Sequence, residues 1–115
     1  MIHSIRISTS AQDIEHAREL MRNYARWTEI DLCFQDFEGE LAALPGKYSA
    51  PEGGLWLAEM NSSVLPVGVV AVRRLTDSAC ELKRLWVEPE AKGAGLGREL
   101  ASPRLRSRMM QAIPK

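Results

Sequence analysis

The chain contains no apolar run approaching the ~20 residues that span a bilayer. Its opening, Met1-Ile2-His3-Ser4-Ile5-Arg6, shows no cationic region followed by an apolar one. Cysteine is scarce: Cys33 and Cys80 are the only two, too far apart for a metal or redox spacing. Net charge is missing as well, because 15 basic residues balance 15 acidic ones over 115 positions. These absences argue against a membrane helix, a disulfide scaffold, a cysteine-based metal centre and a global field that gathers nucleic acid or an anionic membrane. A cytoplasmic protein with two reduced, mostly buried thiols and no metal is the expectation. Neither repeats nor low-complexity tracts occur, and the length suits one small domain, residues 1–115.

What is present reads as alternating helical and extended segments. Residues 2–8 alternate in character, with Ile5 and Ile7 on one side and Arg6 on the other, as in a half-buried strand. Ser10 followed by Asp13 resembles a capping box and predicts a helix running to about Trp27, with Ile14, Ala17, Met21, Tyr24 and Ala25 facing inward. Arg18, Arg22 and Arg26 recur every four residues as a solvated basic stripe. Phe34, Phe37, Leu41 and Leu44 mark a second helix, which Pro45-Gly46 stops. A loop over residues 51–54 leads to strands over 55–60 and 67–73, and Thr76-Asp77-Ser78 turns the chain into a strand over 79–87. On that last strand, Glu81, Lys83, Leu85 and Val87 should share one face and Leu82, Arg84 and Trp86 the other.

The most informative stretch follows that strand. Pro89 ends it, and a turn with glycine at alternate positions (Gly93, Gly95, Gly97) opens into helical composition. Glycine lets the backbone approach an anion without interference from a Cβ. Main-chain N–H groups at the start of a helix favour phosphate oxygens. Lys92 and Arg98 add positive charge beside the turn. A P-loop is excluded because no Lys-Ser/Thr pair follows the last glycine. A dinucleotide fingerprint fails too: six positions counted from Gly93 end on Arg98, and from Gly95 on Leu100.

Lys92-Gly93-Ala94-Gly95-Leu96-Gly97 resembles the acetyl-CoA motif of the GNAT superfamily of N-acetyltransferases, with lysine where arginine or glutamine is usual. The preceding Glu81-Leu-Lys-Arg-Leu-Trp-Val-Glu-Pro89 resembles that family's fourth strand and its exit. The resemblance covers residues 3–101 and implies an α+β fold, with a mixed, mostly antiparallel sheet and flanking helices. It implies acetyl transfer from acetyl-CoA to a primary amine of a small molecule or protein. It also implies that the main chain of Leu85, Trp86 and Val87 pairs with the pantetheine arm. Lys92, Gly93, Ala94, Gly95, Leu96, Gly97 and Arg98 would then hold the phosphates. The Val87 N–H is the implied donor to the thioester carbonyl. Glu81 aligns with the strand glutamate that serves some members as general base, and a salt-bridge role is its alternative. The helix–loop–helix wall makes Trp27, Asp31, Phe34 and Tyr48 candidates for lining the acceptor cleft.

The ending departs from that pattern. Only 18 residues follow Gly97, and Ser102-Pro103 interrupts the expected helix. Residues 104–108 are strongly basic, with little amphipathic periodicity. The family's C-terminal strands and helix, and the tyrosine that commonly protonates the leaving thiolate, have no counterpart here. A C-terminally truncated domain is therefore expected, and a catalytically inactive remnant that at most binds CoA or a partner protein is the alternative reading. The basic tail (Arg98, Arg104, Arg106, Arg108 and, upstream, Lys92) lacks interleaved aromatics, so no nucleic-acid partner is expected. No membrane partner is expected either, and homo-oligomerisation is left open.

Overall fold

A computed structural model describes residues 3–8, 10–28, 37–60, 65–76, 79–91 and 95–113. Strand β1 (His3–Ile7) leads into helix α1 (Ala11–Thr28), close to the predicted bounds. The Ser10 hydroxyl accepts the Asp13 N–H at 3.1 Å, which satisfies one of the orphan donors of the first turn. The Asp13 carboxylate takes both terminal nitrogens of Arg6, at 2.9 and 2.8 Å, while Arg6 Nε donates to Glu59 at 2.6 Å. The two carboxylates, Asp13 foremost, raise the Arg6 pKa and pin the start of α1 to the sheet.

Helix α1 buries Ala17, Leu20 and Met21, with Ile14, Tyr24 and Ala25 partly covered. The basic stripe is not uniformly solvated: Arg18 Nε donates to the Leu41 carbonyl at 2.8 Å, whereas Arg22 and Arg26 are exposed. That bond ties α1 to helix α2 (Phe37–Ala42), whose Phe37 and Leu41 are buried. Asp31 and Phe34 lie outside the described residues. A short 3₁₀ turn, Gly46–Tyr48, ends this helical layer.

Strands β2 (Gly53–Met60), β3 (Gly68–Arg74) and β4 (Cys80–Val87) join β1 in a sheet of order β1-β2-β3-β4. All three pairings are antiparallel. Strand β2 starts two residues earlier than expected. Gly54, read as loop, pairs with Val72, and a Cβ there would sit 2.5 Å from the Trp56 ring. Only glycine lets that ring lie flat over the strand.

The sheet is covered on both faces, so its central strands are nearly all apolar. Helices α1 and α2 cover Leu55, Leu57, Val69, Ala71 and Trp86. The other face carries Trp56, Ala58, Val70, Val72 and Val87, beneath helices α3 (Leu96–Leu100) and α4 (Pro103–Ala112). Here the reading of residues 104–108 is corrected. Leu105, Met109 and Ile113 recur every four residues and are all buried, so α4 is amphipathic, with its arginines outward. Burying each of these side chains stabilises the fold by roughly 1.5–3 kcal/mol. Ser102-Pro103 does interrupt the helix, and it also starts the next one. The Ser102 hydroxyl accepts the Leu105 N–H at 3.1 Å, and Pro103 occupies the first position, where a missing N–H costs nothing.

Candidate active site at the exit of strand β4

The site is built on an irregularity in β4. Val69 pairs with Trp86 and Ala71 with Lys83, so Val70 alone stands opposite Arg84 and Leu85. This is a β-bulge, and Arg84 takes it up with φ 58°, a left-handed conformation that is costly for a residue with a Cβ. The bulge shifts the phase of the strand. Glu81, Lys83, Arg84 and Trp86 lie on the α1/α2 face, while Leu82, Leu85 and Val87 lie with α3 and α4. The alternation expected from sequence therefore holds on each side of Arg84 but not across it. Leu85 and Val87 do not share a face with Glu81.

Side-chain chemistry holds Arg84 in place. Its Nε donates to Glu40 Oε2 at 2.9 Å and its Nη2 to Glu40 Oε1 at 3.3 Å, both side chains being about nine-tenths buried. The guanidinium carbon lies 5.3 Å from the Phe37 ring centroid, within cation–π range. Hydrogen bonding to Glu40 raises the Arg84 pKa. Tyr48 stands beside this pair. Burial pushes its hydroxyl up to about 12; the Glu40 charge adds to the shift and Arg84 opposes it. Tyr48 is 1% exposed, so its expected place in an acceptor cleft is corrected to one in the core. The cavity it does line, of about 310 Å³, is bounded by Ser8, Ser10 and Gly54 at the opposite end of the sheet.

Beyond the bulge the strand offers main-chain groups. Glu88 N–H bonds the Val67 carbonyl at 2.8 Å, and Trp86 pairs directly with Val69. In an antiparallel ladder, the residue between two such positions turns its N–H and C=O away from the partner strand. Val87 is that residue. Among the described residues no strand lies on its far side. Trp86, by contrast, spends its main-chain groups on β3, which corrects its expected place in the trio with Leu85 and Val87.

The glycine turn approaches this edge. Gly95 adopts φ 81° at the start of α3, and an added Cβ would find nothing within 4 Å. A Cβ on Gly97 would stand 3.9 Å from Val87 Cγ2, so Gly97 leaves a bare backbone next to Val87 while Gly95 faces open space. Arg98 is exposed in the first turn of α3. Lys92, Gly93 and Ala94 lie outside the described residues, and Leu96 is the first residue of α3.

The acetyltransferase (GNAT) family profile matches residues 14–105, four-fifths of the chain, and takes in this strand, bulge and turn. The chain belongs to the GNAT family. It is 35% identical over 102 residues to an uncharacterised N-acetyltransferase of Schizosaccharomyces pombe, covering 84% of this chain and 62% of that protein. It is 33% identical over 72 residues to an uncharacterised N-acetyltransferase of Dictyostelium discoideum, covering 62% of this chain and 32% of that one. The chain thus spans less than two thirds of the length of either relative. A Streptococcus agalactiae acetyltransferase structure superposes with TM-score 0.68 at 21% identity, over 95% of this chain and 68% of that one. A Neisseria gonorrhoeae N-acetylglutamate synthase, complexed with coenzyme A and N-acetyl-glutamate, superposes with TM-score 0.57 at 20% identity, over 96% of this chain and 23% of that one. These likenesses establish a GNAT fold with α1 and α2 on one face of the sheet and the glycine turn on the other.

Three contacts of this GNAT site were not expected from the sequence. Tyr24 and Trp27 of α1 converge on Trp86, with ring centroids 6.3 and 5.4 Å away. Asn23 Nδ2 donates to Glu88 Oε1 at 2.6 Å, fastening α1 to the exit of β4. The Glu40–Arg84 pair joins residues 44 positions apart, which no local pattern announces. The first two were partly signalled, since Asn23 and Trp27 stand four residues apart on a helix.

Among the described residues no cluster of His, Cys, Asp or Glu is arranged to hold a metal ion. Nor is any described helix long and apolar enough to cross a membrane.

Proposed function

We propose that this chain carries the coenzyme site and part of the acceptor site of an acetyl-CoA-dependent N-acetyltransferase whose acceptor is a primary amine. The open edge at Val87, beside Gly97 with no Cβ to crowd it, is the observation that carries the reading. The fit is chemical. A pantetheine arm carries amides that need strand-like partners, and the outward main-chain groups of Val87 are of that kind. A diphosphate needs bare N–H groups and positive charge, which Gly95, Gly97 and Arg98 supply, with Lys92, Gly93, Ala94 and Leu96 completing the motif. Acetyl-CoA bound there would supply an activated acetyl thioester.

The chain's own groups have distinct tasks. An amine attacks only when neutral, so a base must first remove a proton from the ammonium. Glu81 serves as that base. It acts directly or through one water. The Val87 N–H donates to the carbonyl oxygen as negative charge develops on it, the role of an oxyanion donor. Trp27 stands at the acceptor side. Calorimetry with acetyl-CoA tests the coenzyme site: binding is expected, with its loss in Gly95→Glu, where a side chain and a negative charge enter the turn. A thiol-release assay over a panel of amines tests transfer, and Glu81→Gln should lower kcat by at least tenfold. Absence of acetyl-CoA binding by the folded chain would refute the reading.

A further inference from the structure

Glu81 and Val87 serve different steps, yet both depend on the irregularity that lies between them. The Val67 carbonyl accepts the Glu88 N–H, so the alternate residues Val69, Ala71 and Arg73 also turn their main-chain groups toward β4. Their partners Trp86, Lys83 and Glu81 turn theirs toward β3. Before the bulge the odd positions of β4 therefore use their N–H groups in the ladder, and beyond it the even positions do. Neither regular ladder of the same length keeps both functional groups. Extending the pairing of residues 80–83 would bring Val87 opposite Val67 and turn its N–H inward. Extending the pairing of Trp86 backwards would carry Glu81 from the α1/α2 face to the layer beneath α3 and α4.

We infer that Glu40 and Arg84 are positioning residues for transfer: their ion pair selects the bulged strand, and so holds the Glu81 carboxylate and the Val87 N–H in place together. The bulge is costly, because Arg84 carries a Cβ at φ 58°, and a regular strand competes with it. Helix α2 offsets that cost. Glu40 takes two nitrogens of Arg84, at 2.9 and 3.3 Å, and the Phe37 ring lies 5.3 Å from the guanidinium carbon. A buried charge pair of this kind is best suited to choosing one register over another. Slipping the strand would draw the Arg84 guanidinium away from Glu40 and leave both charges in a nearly dry layer. On the other side of Val87, Asn23 holds Glu88 at 2.6 Å, so residues 84–88 are fastened to the helical layer at both ends. Both members of the pair are about nine-tenths buried, so they act through the main chain of β4. The tasks of Glu81 and Val87 rest on the function proposed above; the choice of register does not.

The charge-free variant Glu40→Leu with Arg84→Met keeps the volume and most of the stability, so it separates register from stability. Amide hydrogen exchange, read residue by residue by NMR on the whole chain, reports the register without coenzyme or turnover. In the parent chain Glu81, Lys83, Trp86 and Glu88 should be protected and Val87 open. In the double variant the protection should move by one position on one side of residue 84. Exchange at Glu81 and Lys83, or at Trp86 and Glu88, should then be at least tenfold faster, with β1 and β2 unchanged. In the thiol-release assay kcat should fall at least tenfold, more than KM for acetyl-CoA rises, because the Val87 N–H matters most where charge develops. Glu40→Gln, which keeps the volume and one acceptor, should show both changes at about threefold. An unchanged pattern of protection in β4 would overturn the inference. So would faster exchange spread evenly over the sheet, which reports lost stability alone, or a moved pattern with unchanged kcat. Failure of the parent chain to bind acetyl-CoA would refute the function proposed above, and the exchange result would still decide whether the pair selects the register.

Discussion

Replacing Arg84 separates two costs that the structure combines at one residue. Arg84→Ala removes the guanidinium from Glu40, whose side chain is 10% exposed and would remain as a buried carboxylate without its counter-charge. Breaking such a pair from one side costs about 3–5 kcal/mol. Alanine must also hold φ 58°, a left-handed conformation that disfavours a Cβ by about 1–2 kcal/mol relative to glycine. Arg84→Gly loses the same ion pair and escapes the backbone penalty. The glycine variant should therefore be more stable than the alanine variant by about 1 kcal/mol, or roughly 4 °C in melting temperature for a domain of this size. The order is unusual, because alanine is normally the milder choice. Removing both charges, with Glu40→Leu and Arg84→Met, should recover most of the electrostatic loss. Urea unfolding followed by circular dichroism gives all three comparisons. The reasoning fails if alanine equals or exceeds glycine, or if Arg84→Gly loses less than 1 kcal/mol.

Three further outcomes follow from neighbouring features. Ser102→Ala removes the cap of α4 and should cost about 1 kcal/mol in urea unfolding, while Ser102→Asp should cost little. Met109→Ala opens a cavity under α4 at a residue only 1% exposed and should cost about 2–5 kcal/mol; a loss below 1 kcal/mol would mean that α4 does not seal this face. Tyr48 titrates near 10 when unfolded and about 12 when folded. Above pH 10 the unfolded chain releases a proton that the folded chain retains, so stability should fall by about 2–3 kcal/mol between pH 10 and 12. Tyr48→Phe should flatten that fall in pH-resolved unfolding.

Much of the fold was legible because local chemistry and tertiary packing agree. Ser10 announced the start of α1, alternation announced β1, and the apolar run of residues 68–72 announced a strand covered on both faces. The open strand edge was partly legible: the glycines marked the turn, and the strand before it was expected to end at Val87. What stayed hidden depends on contacts distant in sequence. A left-handed arginine has no local signature, so the bulge and the change of face at Arg84 could not be foreseen. Tyr48 was misplaced because aromatic character alone does not separate a core position from a cleft wall. The apolar positions of α4 were visible at Leu105, Met109 and Ile113, but Pro103 and the arginines at 104, 106 and 108 obscured them.

The bulge in β4 also has a bearing on how this site tolerates change. Residues before Arg84 and residues after it obey independent alternation rules, joined by one position that absorbs the mismatch. Deleting that position would restore a regular ladder, with Lys83 opposite Ala71, Leu85 opposite Val70, and Glu81, Lys83 and Trp86 still under α1 and α2. Keeping all eight residues of β4 and pairing them regularly would instead turn Glu81 and Lys83 to the layer beneath α4 while Trp86 stayed in place. The extra residue at Arg84 is therefore what lets Glu81 and Trp86 share a face across an odd number of positions.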